Sequence, residues 1–89
     1  MTICTRVGRN IRRLRVDAGM SQEALAVDAE LEAVHVSRIE RGLANPTLKV
    51  LDRIAHALGA DTGAFFRVET AKALPDNLRR GRKPTRARR

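Results

Sequence analysis

Residues 21–42 read SQEALAVDAELEAVHVSRIERG, a pattern that predicts two short helices joined by a tight turn. Ser21 is a good N-cap, because its hydroxyl can accept a hydrogen bond from a backbone N–H two or three residues later. Glu23 places a carboxylate beside the positive end of the same helix. A helix is therefore expected from the next residue after Ser21, with Leu25 and Ala29 facing inward.

The second helix of this stretch is predicted over residues 33–41. A new helical repeat of apolar residues begins with Val36 and Ile39, which are three residues apart. Gly42 follows at the position where a left-handed residue commonly ends a helix. Glu32 occupies the N-cap position, for which it is a poor substitute for Ser or Asp.

The side of the second helix that faces solvent follows from its buried side. With Val36 and Ile39 turned inward and about 100° between successive residues, the outward residues are Val34, Ser37, Arg38 and Arg41. Ala33 and His35 lie on the flanks. The outward side thus carries two cations and no carboxylate, whereas Glu40 falls on the inward half and needs a partner, such as an arginine of the first helix.

Three further helices are predicted around this pair. The first is marked by an apolar stripe and ended by Gly19; its stripe is Ile3, Val7, Ile11, Leu14 and Ala18. The fourth is capped by Thr47 and ended by Gly59; its stripe is Leu48, Leu51, Ile54, Ala55 and Leu58. A last short helix runs from Asp61 or Thr62 through Phe66, so the fold class is all-α with five helices.

Composition divides the 89-residue chain into a body and a tail. Residues 1–66 hold nine Lys or Arg against eight Asp or Glu, whereas residues 67–89 hold nine against two, which places +7 of the net charge of +8 in the tail. Such a basic excess predicts affinity for a polyanion, most simply nucleic acid. The body is expected to be one domain over 1–66, with a basic, disordered tail over 67–89.

The sequence offers few residues for other chemistry. Cys4 is the only cysteine, which excludes an internal disulfide and fits a reducing cytoplasm, and we expect it to be buried as a small apolar residue. With His35 and His56 it has no zinc-binding spacing. No catalytic triad, phosphate-binding glycine loop or clustered carboxylate pair can be assembled. We therefore expect that the protein is not an enzyme and binds no metal or cofactor. Because the sequence has no long apolar run and no signal peptide, we also expect a cytoplasmic protein with no membrane partner.

The segments SQEALA, VSRIERG and NPTL together resemble the lambda-repressor and Cro-like (XRE) helix-turn-helix family. The resemblance spans roughly residues 7–66 and implies a compact lambda-repressor-like DNA-binding domain whose third helix lies in the major groove of double-stranded DNA. By position, it implies base contacts from Ala33, Val34, Ser37 and Arg38. It also implies phosphate contacts from Gln22, Arg41 and Asn45.

Departures from the family pattern affect how the bases would be read. Many relatives have a long polar residue where this chain has Ala33, and a Ser-like cap where it has Glu32. Ala33 and Val34 would then meet thymine methyl groups, while Arg38 bonds guanine. Of the five arginines on the first helix, Arg9 or Arg12 is the candidate for a further phosphate contact, and we predict the contact for Arg12.

Two other parts of the chain are predicted to bind partners. Phe65 and Phe66 are adjacent and cannot both face one core from one helix side. One should pack against helices 1 and 4 and the other contact a second subunit, so both are candidate homodimer residues; burial of both through a chain bend is the alternative. In the tail, we predict that Arg79, Arg80, Arg82 and Lys83 form a nonspecific phosphate-binding arm. Residues 80–84 loosely resemble an AT-hook, which would bind the minor groove and is the alternative.

These features predict a DNA-binding transcriptional regulator that acts as a homodimer on a two-fold-related operator. In the same family, proteins of this size include restriction–modification controllers, phage repressors and antitoxins. An antitoxin or other protein-interaction module, with a toxin as partner and secondary DNA binding, is the main alternative. A nucleoid-type protein that uses its tail on any A·T-rich duplex is a third.

Overall fold

A computed structural model describes residues 1–68 of the chain. The elements in this part are α1 (Ile3–Asp17), α2 (Gln22–Ala29), α3 (Ala33–Glu40), α4 (Leu48–Leu58) and a 3₁₀-helix, Thr62–Phe66. The all-α prediction is confirmed, but the fifth element is a 3₁₀-helix rather than an α-helix. It has only five residues, little more than one turn of an α-helix, and Gly63 in its first turn disfavours an α-helix.

Side-chain caps start three of the four α-helices. Ser21 Oγ accepts from the Ala24 N–H at 3.0 Å, and Thr47 Oγ1 accepts from the Val50 N–H at 3.1 Å. Thr2 caps α1 in the same way. Glu32 makes no such bond at the start of α3, as its poor capping ability predicted. The start of α3 therefore lacks the side-chain cap that the other three α-helices have.

The turn between α2 and α3 depends on an unusual backbone conformation at Glu30. Its φ angle of 60° lies in the left-handed region, and it is the one residue other than glycine with positive φ within residues 1–68. The following N–H, of Leu31, donates to the Ala26 carbonyl at 2.8 Å and closes the end of α2. A side chain in this conformation costs roughly 1–2 kcal/mol, so the packing of the two helices must hold it there.

The core lies where α1 packs on α3 and the 3₁₀-helix, and where α2 packs on α3 and α4. Its buried apolar residues are Val7, Ile11, Leu25, Ala26, Ala29, Val36, Ile39, Val50, Leu51, Ile54, Ala55 and Phe65. No helix within residues 1–68 combines the length and the apolar character that crossing a bilayer requires.

Three predicted core residues lie at the surface instead, and one of them is Ala18, just after the end of α1. Ile3 is 51% exposed and Leu48 is 80% exposed, while Val50, which the stripe of α4 did not include, is buried. Around the axis of α4, Leu48 and Val50 lie on opposite sides of that stripe, at similar angular distances from its centre. Periodicity therefore could not choose between them, and the neighbouring elements decide which one is covered.

A close approach between α1 and the end of α3 occurs at Gly8. A Cβ atom at this position would lie 2.7 Å from the carbonyl oxygen of Glu40 and closer still to that of Ile39. Both of those atoms belong to the backbone, so no side-chain rotation could relieve the overlap. Gly8 thus sets how deeply the end of α3 sits against α1.

Candidate nucleic-acid interface

Helix α3 has one buried side and one exposed side. Val36 and Ile39 have almost no exposed surface, whereas Val34 is 60% exposed. Arg38 and Arg41 are also exposed. The other two predicted base-contacting residues, Ala33 and Ser37, are half-buried. The predicted division of α3 into a buried and an exposed side is confirmed, and the exposed side carries two cations.

Arg38 is tied to the turn that follows α3. Its Nη2 donates to the Leu43 carbonyl at 3.0 Å, while the Leu43 N–H donates to the Arg38 carbonyl at 2.9 Å. Gly42 between them has a φ angle of 76°, the left-handed conformation that lets the chain reverse at a helix end. The Arg38 side chain therefore lies along the C-terminal part of α3, and its guanidinium has further N–H groups that this bond does not use.

A buried polar network joins α1, α2 and α3 behind this surface. The Arg15 Nε donates to Glu40 Oε2 at 2.6 Å and its Nη2 donates to Oε1 at 3.1 Å. Arg15 Nη1 donates to the Met20 carbonyl at 2.7 Å, and Gln22 Nε2 donates to Glu40 Oε1 at 3.0 Å. The expected pairing of Glu40 with an arginine of the first helix is therefore observed, with Arg15.

The charge of the network is balanced inside the protein. Glu40 has only 2% of its side chain exposed and Arg15 has 11%. The side-chain hydrogen bond to Glu40 is the main reason that the pKa of Arg15 is raised; the attraction of Glu40 and Glu23 adds to it, while burial lowers it. The ordinary pKa of arginine is already high, and in the folded protein it is higher still, so Arg15 stays charged. The stability that its pairing with Glu40 contributes is therefore lost only in strong alkali.

The predicted phosphate contacts occupy different surroundings. Gln22, the first residue of α2, is half-buried, and its amide nitrogen already donates to Glu40. Arg41 and Asn45 are exposed just after α3. Arg12 is exposed in a shallow groove on the surface of α1, and the neighbours that line this groove all belong to α1. The structure thus places Arg41 and Asn45 next to the exposed side of α3 along the chain, and Arg12 on a separate helix.

Comparison with known proteins places this arrangement in a family. The model of a helix-turn-helix domain matches residues 6–65, which is more than half of the chain. The chain belongs to the XRE-type helix-turn-helix family of transcriptional regulators. The resemblance expected from the SQEALA, VSRIERG and NPTL segments is thereby confirmed.

Relatives of this helix-turn-helix protein include a controller and a repressor. It is 40% identical over 53 residues to Control protein C.BamHI of Bacillus amyloliquefaciens, which covers 58% of this chain and 65% of that protein. It is 36% identical over 64 residues to the immunity repressor protein of Bacillus phage phi105, covering 72% of this chain and 44% of that protein. The match therefore spans less than two thirds of the length of either relative.

Solved structures show the same fold. The restriction–modification controller protein C.AhdI from Aeromonas hydrophila superposes with a TM-score of 0.69 and 33% identity, over 71% of this chain and 96% of that one. The clp gene regulator ClgR from Corynebacterium glutamicum superposes with a TM-score of 0.71 and 26% identity, over 73% and 69% of the two chains. This chain thus shares its fold with a restriction–modification controller protein and with a clp gene regulator.

The helix-turn-helix protein separates its two phenylalanines. Phe65 has no exposed surface and belongs to the core, so it cannot itself touch a second subunit, and that part of the predicted dimer interface is corrected. Phe66 is 40% exposed and lines an apolar groove with Ile3, Cys4, Val7, Asn45, Pro46, Leu48 and Leu51. Burial of both rings is wrong, and Phe66 is the residue that remains accessible to a partner. Cys4 is half-buried in this groove, not fully buried.

Asn10 is a buried residue of the helix-turn-helix protein that the sequence analysis did not single out. Its Nδ2 donates to the carbonyl oxygens of Phe65 at 2.8 Å and Arg67 at 2.9 Å, and so ties the end of the 3₁₀-helix to α1. In the sequence, Asn10 stands beside the apolar stripe of the first helix, and a polar residue at such a position indicates a buried hydrogen bond. The tail residues Arg79, Arg80, Arg82 and Lys83 lie outside the described residues.

Proposed function

We propose that this protein is a sequence-specific transcriptional regulator that binds DNA as a homodimer on a two-fold-related operator. The observation that carries the proposal is the exposed side of α3, where Val34, Arg38 and Arg41 face solvent because Val36 and Ile39 are buried. A helix diameter matches the width of the major groove, and two cations on its outer side favour approach to phosphate. This role requires access to the genome and therefore a cytoplasmic location.

The residues divide into two kinds of contact. Val34 and Ala33 offer methyl groups to thymine, and Arg38 and Ser37 offer hydrogen bonds to base edges. Gln22, Arg41, Asn45 and Arg12 would contact phosphate and fix the register on the duplex. The domain over 1–66 supplies this specific binding, while Arg79, Arg80, Arg82 and Lys83 of the tail over 67–89 add affinity that does not depend on sequence.

Two observations support a second copy of the chain as a partner. Phe66, Ile3 and Leu48 expose apolar surface around a single groove, and none of the described residues that line the groove is charged. A small domain with an aliphatic core gains stability when such a surface is covered. In such a dimer, the two α3 helices would contact half-sites about one helical turn of DNA apart, roughly 34–36 Å.

Selection of bound sequences from a random duplex pool tests the proposal. With the full chain we expect a palindromic site, because a two-fold dimer presents two identical α3 helices. Recovery of DNA with no shared sequence would contradict specific binding and favour a nucleoid-type role. Absence of binding to any duplex at low salt would favour the protein-interaction alternative, in which an antitoxin neutralises a toxin.

The dimer surface has a test of its own. Phe66→Ala should weaken self-association roughly tenfold, because it removes an aromatic side chain from the centre of the proposed contact. Analytical ultracentrifugation measures the change. Val27→Ala, at an exposed position of α2, is the matched control and should leave association unchanged. A Phe66→Ala protein that dimerises like the native one would rule out this surface.

A further inference from the structure

The Glu40 carboxylate holds the Gln22 amide in one orientation. Gln22 Nε2 donates to Glu40 Oε1 at 3.0 Å. A carboxylate only accepts hydrogen bonds, whereas the two ends of a Gln amide differ, one donating and one accepting. The nitrogen end must therefore point at Glu40. The second N–H on that nitrogen and the amide oxygen then have defined directions at the start of α2.

The carboxylate is itself held in place from α1. Arg15 donates to both oxygens of Glu40, at 2.6 Å to Oε2 and 3.1 Å to Oε1, and also donates to the Met20 carbonyl at 2.7 Å. Because only 2% of the Glu40 side chain is exposed, the carboxylate has no competing hydration. Its negative charge is neutralised by Arg15, so that it does not repel an approaching phosphate.

Gln22 is well placed for an anion. It is the first residue of α2, where backbone N–H groups without helical acceptors and the helix dipole favour negative charge. A free glutamine side chain would have to be ordered on binding, which is unfavourable. A side chain already bonded to Glu40 avoids most of that ordering.

We propose that Glu40 is a positioning residue for DNA binding, which acts by orienting Gln22 toward a backbone phosphate while Arg15 neutralises it. The proposal rests on the proposed function, since it requires Gln22 to contact phosphate. It assigns a role in binding to a residue that cannot itself reach the duplex. Glu40 lies on the inward side of α3, and its side chain is enclosed by α1 and α2.

For Glu40→Gln, the change in net charge and the loss of positioning predict opposite changes in DNA affinity, so the variant separates the two effects. Glu40→Gln removes a negative charge, so long-range electrostatics would strengthen binding to DNA. Loss of positioning would weaken it, because an uncharged amide in place of the carboxylate no longer selects the orientation of Gln22. The matched control is Glu23→Gln, which removes an exposed carboxylate next to Gln22 that makes no bond to it. This control should bind as well as the native protein or better.

The experiment is a double-mutant cycle on the full chain with a mixed-sequence duplex of about 30 base pairs, three helical turns. In the native background, Glu40→Gln should lower affinity about tenfold or more, the loss expected for one hydrogen bond to a charged group. In a Gln22→Met background, the same change should alter affinity less than about twofold. Circular dichroism at the binding temperature checks that each variant is folded.

Each other outcome decides against the proposal. An equal loss in both backgrounds means that Glu40 acts only through the fold, and unchanged or stronger binding by Glu40→Gln means that charge dominates. If Glu40→Gln does not fold, Glu40→Asp enters the same cycle, because it keeps the charge for Arg15 but withdraws the carboxylate from Gln22. Native protein that binds no duplex overturns the proposed function itself, a result distinct from the failure of the coupling.

Discussion

Replacement of Gly8 by alanine sets helix propensity directly against tertiary packing. Alanine in the interior of a helix is more favourable than glycine by about 1 kcal/mol, so α1 taken alone would be stabilised. In the folded protein, the added Cβ would lie 2.7 Å from the Glu40 carbonyl oxygen and nearer to that of Ile39. Since both obstacles are backbone atoms, α1 and α3 must separate.

The magnitude follows from that separation. Overpacking of a dense core typically costs about 1–3 kcal/mol, and a clash with two backbone carbonyls at once belongs at the upper end or beyond. After the gain in helix propensity, we expect Gly8→Ala to lower the free energy of unfolding by about 2–3 kcal/mol. For a domain of this size, that change corresponds to a fall in Tm of roughly 10–20 °C.

Thermal unfolding followed by far-UV circular dichroism measures the effect. Gly19→Ala is the matched control, because a Cβ at Gly19 meets nothing within 4 Å and only its φ angle of 73° opposes the substitution. That variant should lose about 1–2 kcal/mol. A Gly8→Ala protein that unfolds at the native temperature or above it would refute the close approach of α1 and α3.

Three further changes test the α3 surface, the turn before it and the tail. Arg38→Ala should relax selectivity at one base pair by about 1–3 kcal/mol in competition binding, whereas an equal loss on every duplex would make Arg38 a phosphate contact. Glu30→Gly should raise the free energy of unfolding by about 0.5–1 kcal/mol in chemical denaturation, because glycine adopts the left-handed conformation without strain, although it also increases the entropy of the unfolded chain. An unchanged free energy of unfolding would mean that Glu30 is not strained. Deletion of residues 77–89 should reduce the slope of log affinity against log salt by roughly 0.9 for each phosphate that the tail neutralises, and an unchanged slope would show that the tail does not touch DNA.

Local chemistry accounts for the parts of the fold that the sequence predicted. Ser21 and Thr47 cap their helices through bonds within three residues, and Gly59 ends α4 in the left-handed conformation. Such features depend on neighbours in the chain, so they can be read without knowledge of the fold. The spacing of Val36 and Ile39 likewise predicted which side of α3 is exposed.

Interactions between distant residues account for what the sequence did not predict. The exposure of Leu48 and the burial of Val50 depend on which elements cover α4. The Asn10 bonds to the 3₁₀-helix join residues 55 positions apart in sequence. Glu40 was expected to need an arginine of the first helix, but its bond to Gln22 depends on how α2 and α3 meet.

The sequence by itself determined that this chain forms helices with a helix-turn-helix at their centre, because caps, glycines and apolar spacing act over a few residues. The tertiary structure alone decided that Phe65 is buried while Phe66 is accessible, and that Gly8 brings α1 against the end of α3. It also decided that Arg15 and Gln22 meet on one carboxylate. The physical reason is that packing and buried hydrogen bonds require residues far apart in the chain to occupy the same space.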